Sequence, residues 1–389
     1  MHRNGILQVV AVFGLCVLAN LAVIEPAFSR SLPPASNSID PSALAELEKE
    51  SEAGDREAQY RLAVLYESDP EKNEVEAARW FQQSAEQGYA PAEFALGRLY
   101  ELGRSVDLDI PEAISWYRRA AEQDWPAAQN ALGYAYSRGE GVPSDAKQAA
   151  DWYRKAAEQN YGPAENNLGV AYFSGTGIKR DYRQAYDWCE RATRHGMNEA
   201  YHCLGYLYAE GKGVRRDYTK AAEMFGKAAE TGMAAAQTDL AILYLSGKGV
   251  AQSDARAVWW FHRAAEQGQA LAQAGLGFAY ASGRGITRDY RRAAEWLRHS
   301  AEQDEPAAQH DLAILCEKGL GVPLDYIESY KWFALASAHG ENASKARLKE
   351  LAEIMTARQI ERARARVAEW QSTHHSSESR FANALDIAK

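Results

Sequence analysis

The sequence predicts an all-α chain, a right-handed α-solenoid superhelix of antiparallel helix pairs repeated about eight times, and three observations predict it. Tryptophan followed by a large apolar residue stands at Trp80-Phe81, Trp116-Tyr117, Trp152-Tyr153, Trp260-Phe261, Trp296-Leu297 and Trp332-Phe333, with Trp188-Cys189 and Met224-Phe225 in the gaps, every step being 36 residues. A leucine ladder runs beside it: Leu62, Leu96, Leu132, Leu168, Leu204, Leu240, Leu276 and Leu312. Helix start and stop residues recur in register with both. A period in this range marks stacked supersecondary units that bury a core only against their neighbours.

The first helix of each unit, A, carries alanine four residues before the leucine (Ala128 before Leu132) and, except at Cys316, tyrosine four after (Tyr136). Spacing of four puts these on one helical face. The Gly or Ala following each leucine lets a neighbouring helix come close. A loop of the form Gly139-Glu140-Gly141-Val142 then leads to the second helix, B. Asp145, Asp181, Asp217, Ser253, Asp289 and Asp325 stand where an N-cap should accept from the orphan amides of the first turn. Gln148, Gln184 and Glu328 add capping-box spacing. Gly88, Asp124, Asn160, Gly196, Gly232, Gly268, Asp304 and Gly340, residue types that tolerate the left-handed conformation, end the B helices.

The ends depart from the period. Residues 1–29 read as a signal peptide: His2 and Arg3, an apolar run from Ile6 to Ile24, and small residues at Ala27 and Ser29. Cleavage is the expectation rather than an N-terminal anchor, and with it a periplasmic or secreted location. Residues 30–41 are a linker, 42–54 an N-terminal capping helix, 55–340 the eight repeats, 341–370 C-terminal capping helices opened last by Thr356 and Gln359, and 371–389 a polar tail. The net charge of −9 leaves no basic surplus for phosphates, so no nucleic-acid partner is expected.

The unit A-x-x-x-L-G-x-x-Y, G-x-G-V, D-x-x-x-A, W-[YF]-x-x-A-A-E-x-G, nearly complete over Ala128 to Asn160, resembles the Sel1-like repeat, a relative of the tetratricopeptide repeat. Repeat one departs in its short turn from Ser68, and repeat two has Ser105 for the second loop glycine. The resemblance covers about residues 43–370. It implies a monomeric, non-enzymatic adaptor that holds a protein or peptide in a concave groove of A helices, in signalling, exopolysaccharide or envelope and host-interaction processes. It also implies two alternatives, a lumenal secretory-pathway adaptor and a hydrolase or binder of cell-wall material or β-lactams of a cysteine-rich branch. Ala157, Thr193 and Ala229 occupy positions where that branch has cysteine.

Groove contacts should fall on columns that vary between repeats. Two such columns lie two before and two after each leucine, and a third immediately before it. They give Asn130, Tyr134, Asn166, Asn167, His202, Tyr206, Asp239, Phe278, His310 and Asp311 as candidates, a mixture suited to a peptide or glycan; aliphatic members such as Ile242 and Ile314 equally suit packing between A helices. Cys189 and Cys203 lie seven residues either side of Gly196, at one height on a hairpin, and form a possible disulfide in an oxidising compartment. Cys316 replaces a tyrosine and reads as a small apolar residue. Ser144-x-x-Lys147 has no S-D-N or K-T-G companion and reads as chance. His374-His375 lack a spaced third ligand. No catalytic residue, metal or cofactor is expected.

Overall fold

The computed structural model of the chain describes residues 41–68 and 74–386, with side chains from 42 to 374. The leader, most of the linker and the turn of repeat one lie outside the described residues. Among the described residues there are nineteen helices and no strand.

They form two compact units. The N-terminal unit, residues 41–216, holds α1 (Pro41–Glu52), α2 (Arg56–Ser68), α3 (Glu74–Glu86), α4 (Ala90–Leu102), α5 (Ile110–Glu122), α6 (Pro126–Arg138), α7 (Ala146–Glu158), α8 (Gly162–Ser174), α9 (Tyr182–Arg194) and α10 (Glu199–Glu210). The C-terminal unit, from residue 217, holds α11 (Tyr218–Glu230), α12 (Ala234–Ser246), α13 (Asp254–Glu266), α14 (Ala270–Ser282), α15 (Tyr290–Ala301), α16 (Pro306–Lys318), α17 (Tyr326–Ala338), α18 (Asn342–Ile354) and α19 (Ala357–Asp386). Within each unit the helices pack in series, A and B alternating, as an α-solenoid requires, except that the final helix α19 packs back on α17.

The A helices end on left-handed glycines, such as Gly139 at φ 73° and Gly247 at φ 67°. The B helices start on the expected caps: the Asp145 carboxylate accepts from the amides of Lys147 and Gln148, and Ser253 from Arg256. The capping-box half of the expectation is corrected. The Asp145, Asp181 and Asp325 amides donate instead to the carbonyls of Tyr136, Tyr172 and Cys316, which ties each B helix to its own A helix. The Gln148 side chain turns to the Asp145 carboxylate. Among the described residues only Thr356 and Gln359 complete the reciprocal pair. The non-glycine stops Asp124, Asn160 and Asp304 hold φ of 59°, 63° and 64°.

Two glycine columns set the packing. A Cβ on Gly133 would lie 2.6 Å from the Tyr153 ring, so α6 and α7 approach as closely as a bare backbone allows. A Cβ on Gly177 would overlap the Ala146 carbonyl, because this loop rests on the first turn of the previous B helix. The leucine ladder is buried throughout, and truncating any rung to alanine should cost about 2–5 kcal/mol. The last helix does not stop near Trp370: it continues through the stretch expected as a tail to Asp386, with Trp370 packed 6.3 Å from Trp332 of α17. No described helix is long and apolar enough to cross a membrane.

Candidate functional site

The candidate columns lie on A helices whose opposite side is tied down by a buried polar ladder. The residue after each ladder alanine is glutamine in most repeats. Gln129 Nε2 donates to the Ala121 carbonyl at the end of the preceding B helix, while its oxygen accepts from Gln159 of its own B helix at 2.9 Å. Gln237 with Ala229 and Gln267, and Gln273 with Ala265 and Gln303, repeat the arrangement. Amide groups satisfied at both ends suit a buried junction. In repeats two and four the glutamine is a glutamate. Glu93, buried, meets Arg119 at 3.1 Å and Gln123 at 2.6 Å. Glu165, with 0% of its side chain exposed, meets Arg191 at 3.1 Å and His195 at 2.5 Å. Burial pushes the Glu93 carboxyl above its usual range, against Arg119. Arg191 also reaches the Ala157 carbonyl, the acceptor that a glutamine would have bonded, at 3.5 Å.

The column two before each leucine sits between successive A helices. In the N-terminal unit Asn130, Asn166 and His202 are buried, and the Asn130 oxygen accepts from Asn167 of the next A helix at 3.0 Å. One repeat later the position of Asn167 is taken by Cys203. Its sulfur is bonded to Cys189 across a Cα–Cα distance of 6.5 Å, and the Asn166 oxygen, in a residue 1% exposed, has no hydrogen-bond partner. Tyr206 is buried too, edge-on to Phe173 at 5.0 Å with Lys212 at 3.4 Å from its hydroxyl, and burial raises its pKa. Tyr134 and Asn167 are half-buried, and burial likewise raises Tyr134.

In the C-terminal unit Asp239 is buried, while Phe278, His310 and Asp311 are half-buried. His310 bonds the Ser344 hydroxyl of α18 at 2.7 Å and is pushed down by burial. Burial, with Glu341 adding repulsion, lifts Asp311 to about 7. Of the ten candidates, Asn130, Asn166, His202, Tyr206 and Asp239 are therefore enclosed by neighbouring helices in the free chain. Those left with accessible surface are Tyr134, Asn167, Phe278, His310 and Asp311. Spacing accounts for most of this: the residue two before the leucine is buried in the seam between A helices except at Tyr60 and His310, and the one two after it is half-buried at the seam's edge except at Tyr206 and Ile242.

Ser144 is exposed on the loop before α7. Cys316 is buried, its thiol raised to about 11 chiefly by burial. No cluster of three metal-ligating side chains occurs among the described residues.

The family model of the Sel1 repeat matches eight consecutive stretches: residues 56–89, 90–125, 126–161, 162–197, 198–233, 234–269, 270–305 and 306–341. A Sel1 repeat protein from Oxalobacter formigenes is 30% identical over 79% of this chain and 90% of its own, with a TM-score of 0.56. A protective antigen of uropathogenic Escherichia coli with an SLR fold is 28% identical over 85% of this chain and 94% of its own, with a TM-score of 0.50. No curated protein matches the chain.

Proposed function

The chain belongs to the Sel1-repeat family, and from that premise we propose that it is an exported, monomeric, non-catalytic adaptor whose A helices hold a partner protein or peptide. Sel1-repeat proteins are typically interaction scaffolds. The observation that carries the reading is the set of half-buried, chemically mixed side chains at recurring registers beside the leucine ladder: Tyr134 and Asn167 in one unit, Phe278, His310 and Asp311 in the other. Aromatic and amide groups held partly exposed on a rigid array are suited to contact without rearrangement. The apolar run from Ile6 to Ile24 followed by Ala27 and Ser29 supports export, and a Cys189–Cys203 bond agrees with an oxidising compartment. Signalling, exopolysaccharide or envelope assembly, and contact with a host cell are the settings this reading allows.

A photoreactive phenylalanine placed at 134 or 278 in cells, followed by identification of the captured protein and binding measurements with purified components, tests this. Tyr134→Ala with Asn167→Ala should weaken the captured partner by about tenfold or more. Binding unchanged in that double variant and in Phe278→Ala would reject the A-helix face.

A further inference from the structure

We propose a second, independent contact surface on the B-helix layer of the C-terminal unit, centred on Trp259 and Arg263, that takes an acidic segment of a partner protein carrying a bulky apolar side chain. The residue before each ladder position is polar in the other repeats: Arg79, Ser115, Asp151, Asp187, Glu223, Glu295 and Lys331. In repeat six alone it is tryptophan, and Trp259 is 52% exposed. The fold does not ask for an indole in that column.

A second feature coincides with the first. Three residues after the ladder tryptophan, Arg119 and Arg191 turn inward to the buried carboxylates of Glu93 and Glu165. In repeat six the corresponding junction residue is the neutral Gln237, already satisfied by Ala229 and Gln267. Arg263 therefore has no junction carboxylate to neutralise. Its guanidinium lies over the rings of Trp259 at 4.9 Å and Trp260 at 5.5 Å, in a side chain that is exposed.

Charge selects the occupant. The helical neighbours of Trp259, three and four residues away, are Ala255, Arg256, His262 and Arg263, with no carboxylate among them. The nearby Glu266 is turned to His262 at 3.4 Å. A cationic, aromatic spot on a chain of net charge −9 complements a carboxylate that sits on Arg263 while an adjacent apolar group covers the Trp259 face. Tryptophan and arginine together are the residues in which binding energy concentrates at protein interfaces. Nucleic acid fits less well, because a phosphate backbone asks for an extended row of cations.

Random peptides displayed on phage and panned on the full-length protein, with the recovered peptides measured by fluorescence anisotropy, test the assignment. Peptides rich in Asp and Glu beside Trp, Phe or Leu should be enriched, and their binding should weaken as salt rises. Trp259→Glu, which installs the side chain this column carries at 223 and 295, and Arg263→Gln should each weaken binding by about tenfold. Tyr134→Ala should leave it unchanged, which separates this surface from the A-helix face. Enriched peptides without an acidic excess, or binding within about twofold of the parent in both variants, would overturn the proposal. So would a concentration-dependent dimer of the protein that Trp259→Glu dissolves, since the occupant would then be a second copy.

Discussion

Removing the Arg191 guanidinium should damage the N-terminal unit far more than its position at the edge of α9 suggests, and a second substitution should repair the damage. Arg191 holds its Nε 3.1 Å from a Glu165 carboxylate with no exposed surface. At that separation, with an effective dielectric of about 20, the attraction is about 5 kcal/mol, offset by the cost of taking both charges out of water. Arg191→Met leaves the carboxylate buried with His195 as its remaining neighbour. Breaking a buried pair in this way costs about 3–5 kcal/mol, and the surviving His195 contact places the expectation near 3 kcal/mol. Glu165→Gln in the same chain installs the amide found at Gln129, which has the geometry to donate to the Ala157 carbonyl that Arg191 no longer reaches. The double variant should therefore return to within about 1 kcal/mol of the parent. Urea unfolding gives the overall change. Native-state hydrogen exchange of the α8 and α9 amides localises it, which matters because repeat arrays can unfold in parts. An Arg191→Met cost below about 1 kcal/mol, or a double variant worse than the single, would refute the reasoning.

Two further predictions concern stability. Asp311 has a carboxyl raised to about 7 in the fold against about 3.9 in an unfolded chain, so its protonated form is the one the fold favours. The contribution is present below pH about 4 and lost as pH rises through about 7, with a ceiling of about 4 kcal/mol. Asp311→Asn should accordingly stabilise the protein more at pH 8 than at pH 5 in urea titrations, and an advantage independent of pH would contradict this. Replacing both Cys189 and Cys203 by alanine should lower stability by about 3 kcal/mol under non-reducing conditions, the scale for a loop of about fifteen residues; an unchanged urea midpoint would show the bond does not contribute.

Much of the fold was legible because its determinants are local or strictly periodic. The left-handed stops at Asp124, Asn160 and Asp304, the N-caps and the leucine ladder each depend on residues within one turn or on one repeated column. The polar ladder was not legible in the same way. Gln129 and Gln159 look like separate surface residues until the two helices are folded together, and the partners lie 30 residues apart. A signal was nevertheless present: the glutamates at 93 and 165 coincide with arginines at 119 and 191. The candidate site was half legible. Variation between repeats picked out positions on the A helices but not the depth of each column, because a one-residue change of position rotates a side chain by about 100°. That rotation moves Asn166 into the seam while leaving Asn167 at its edge. The extension of α19 beyond Trp370 had no periodic marker to reveal it.

The loop glycines that rest on the preceding B helix have a consequence for how such a chain can change its length. Gly177 meets Ala146, Gly249 meets Tyr218 and Gly321 meets Tyr290, so each junction refers only to the unit directly before it. Duplicating or deleting one whole module would recreate the same junction at the scar. Inserting a fraction of a module would bring a side chain against a carbonyl where only hydrogen fits. Growth and shrinkage by complete modules is thus the route this architecture leaves open, and reach can be adjusted without redesigning a single interface.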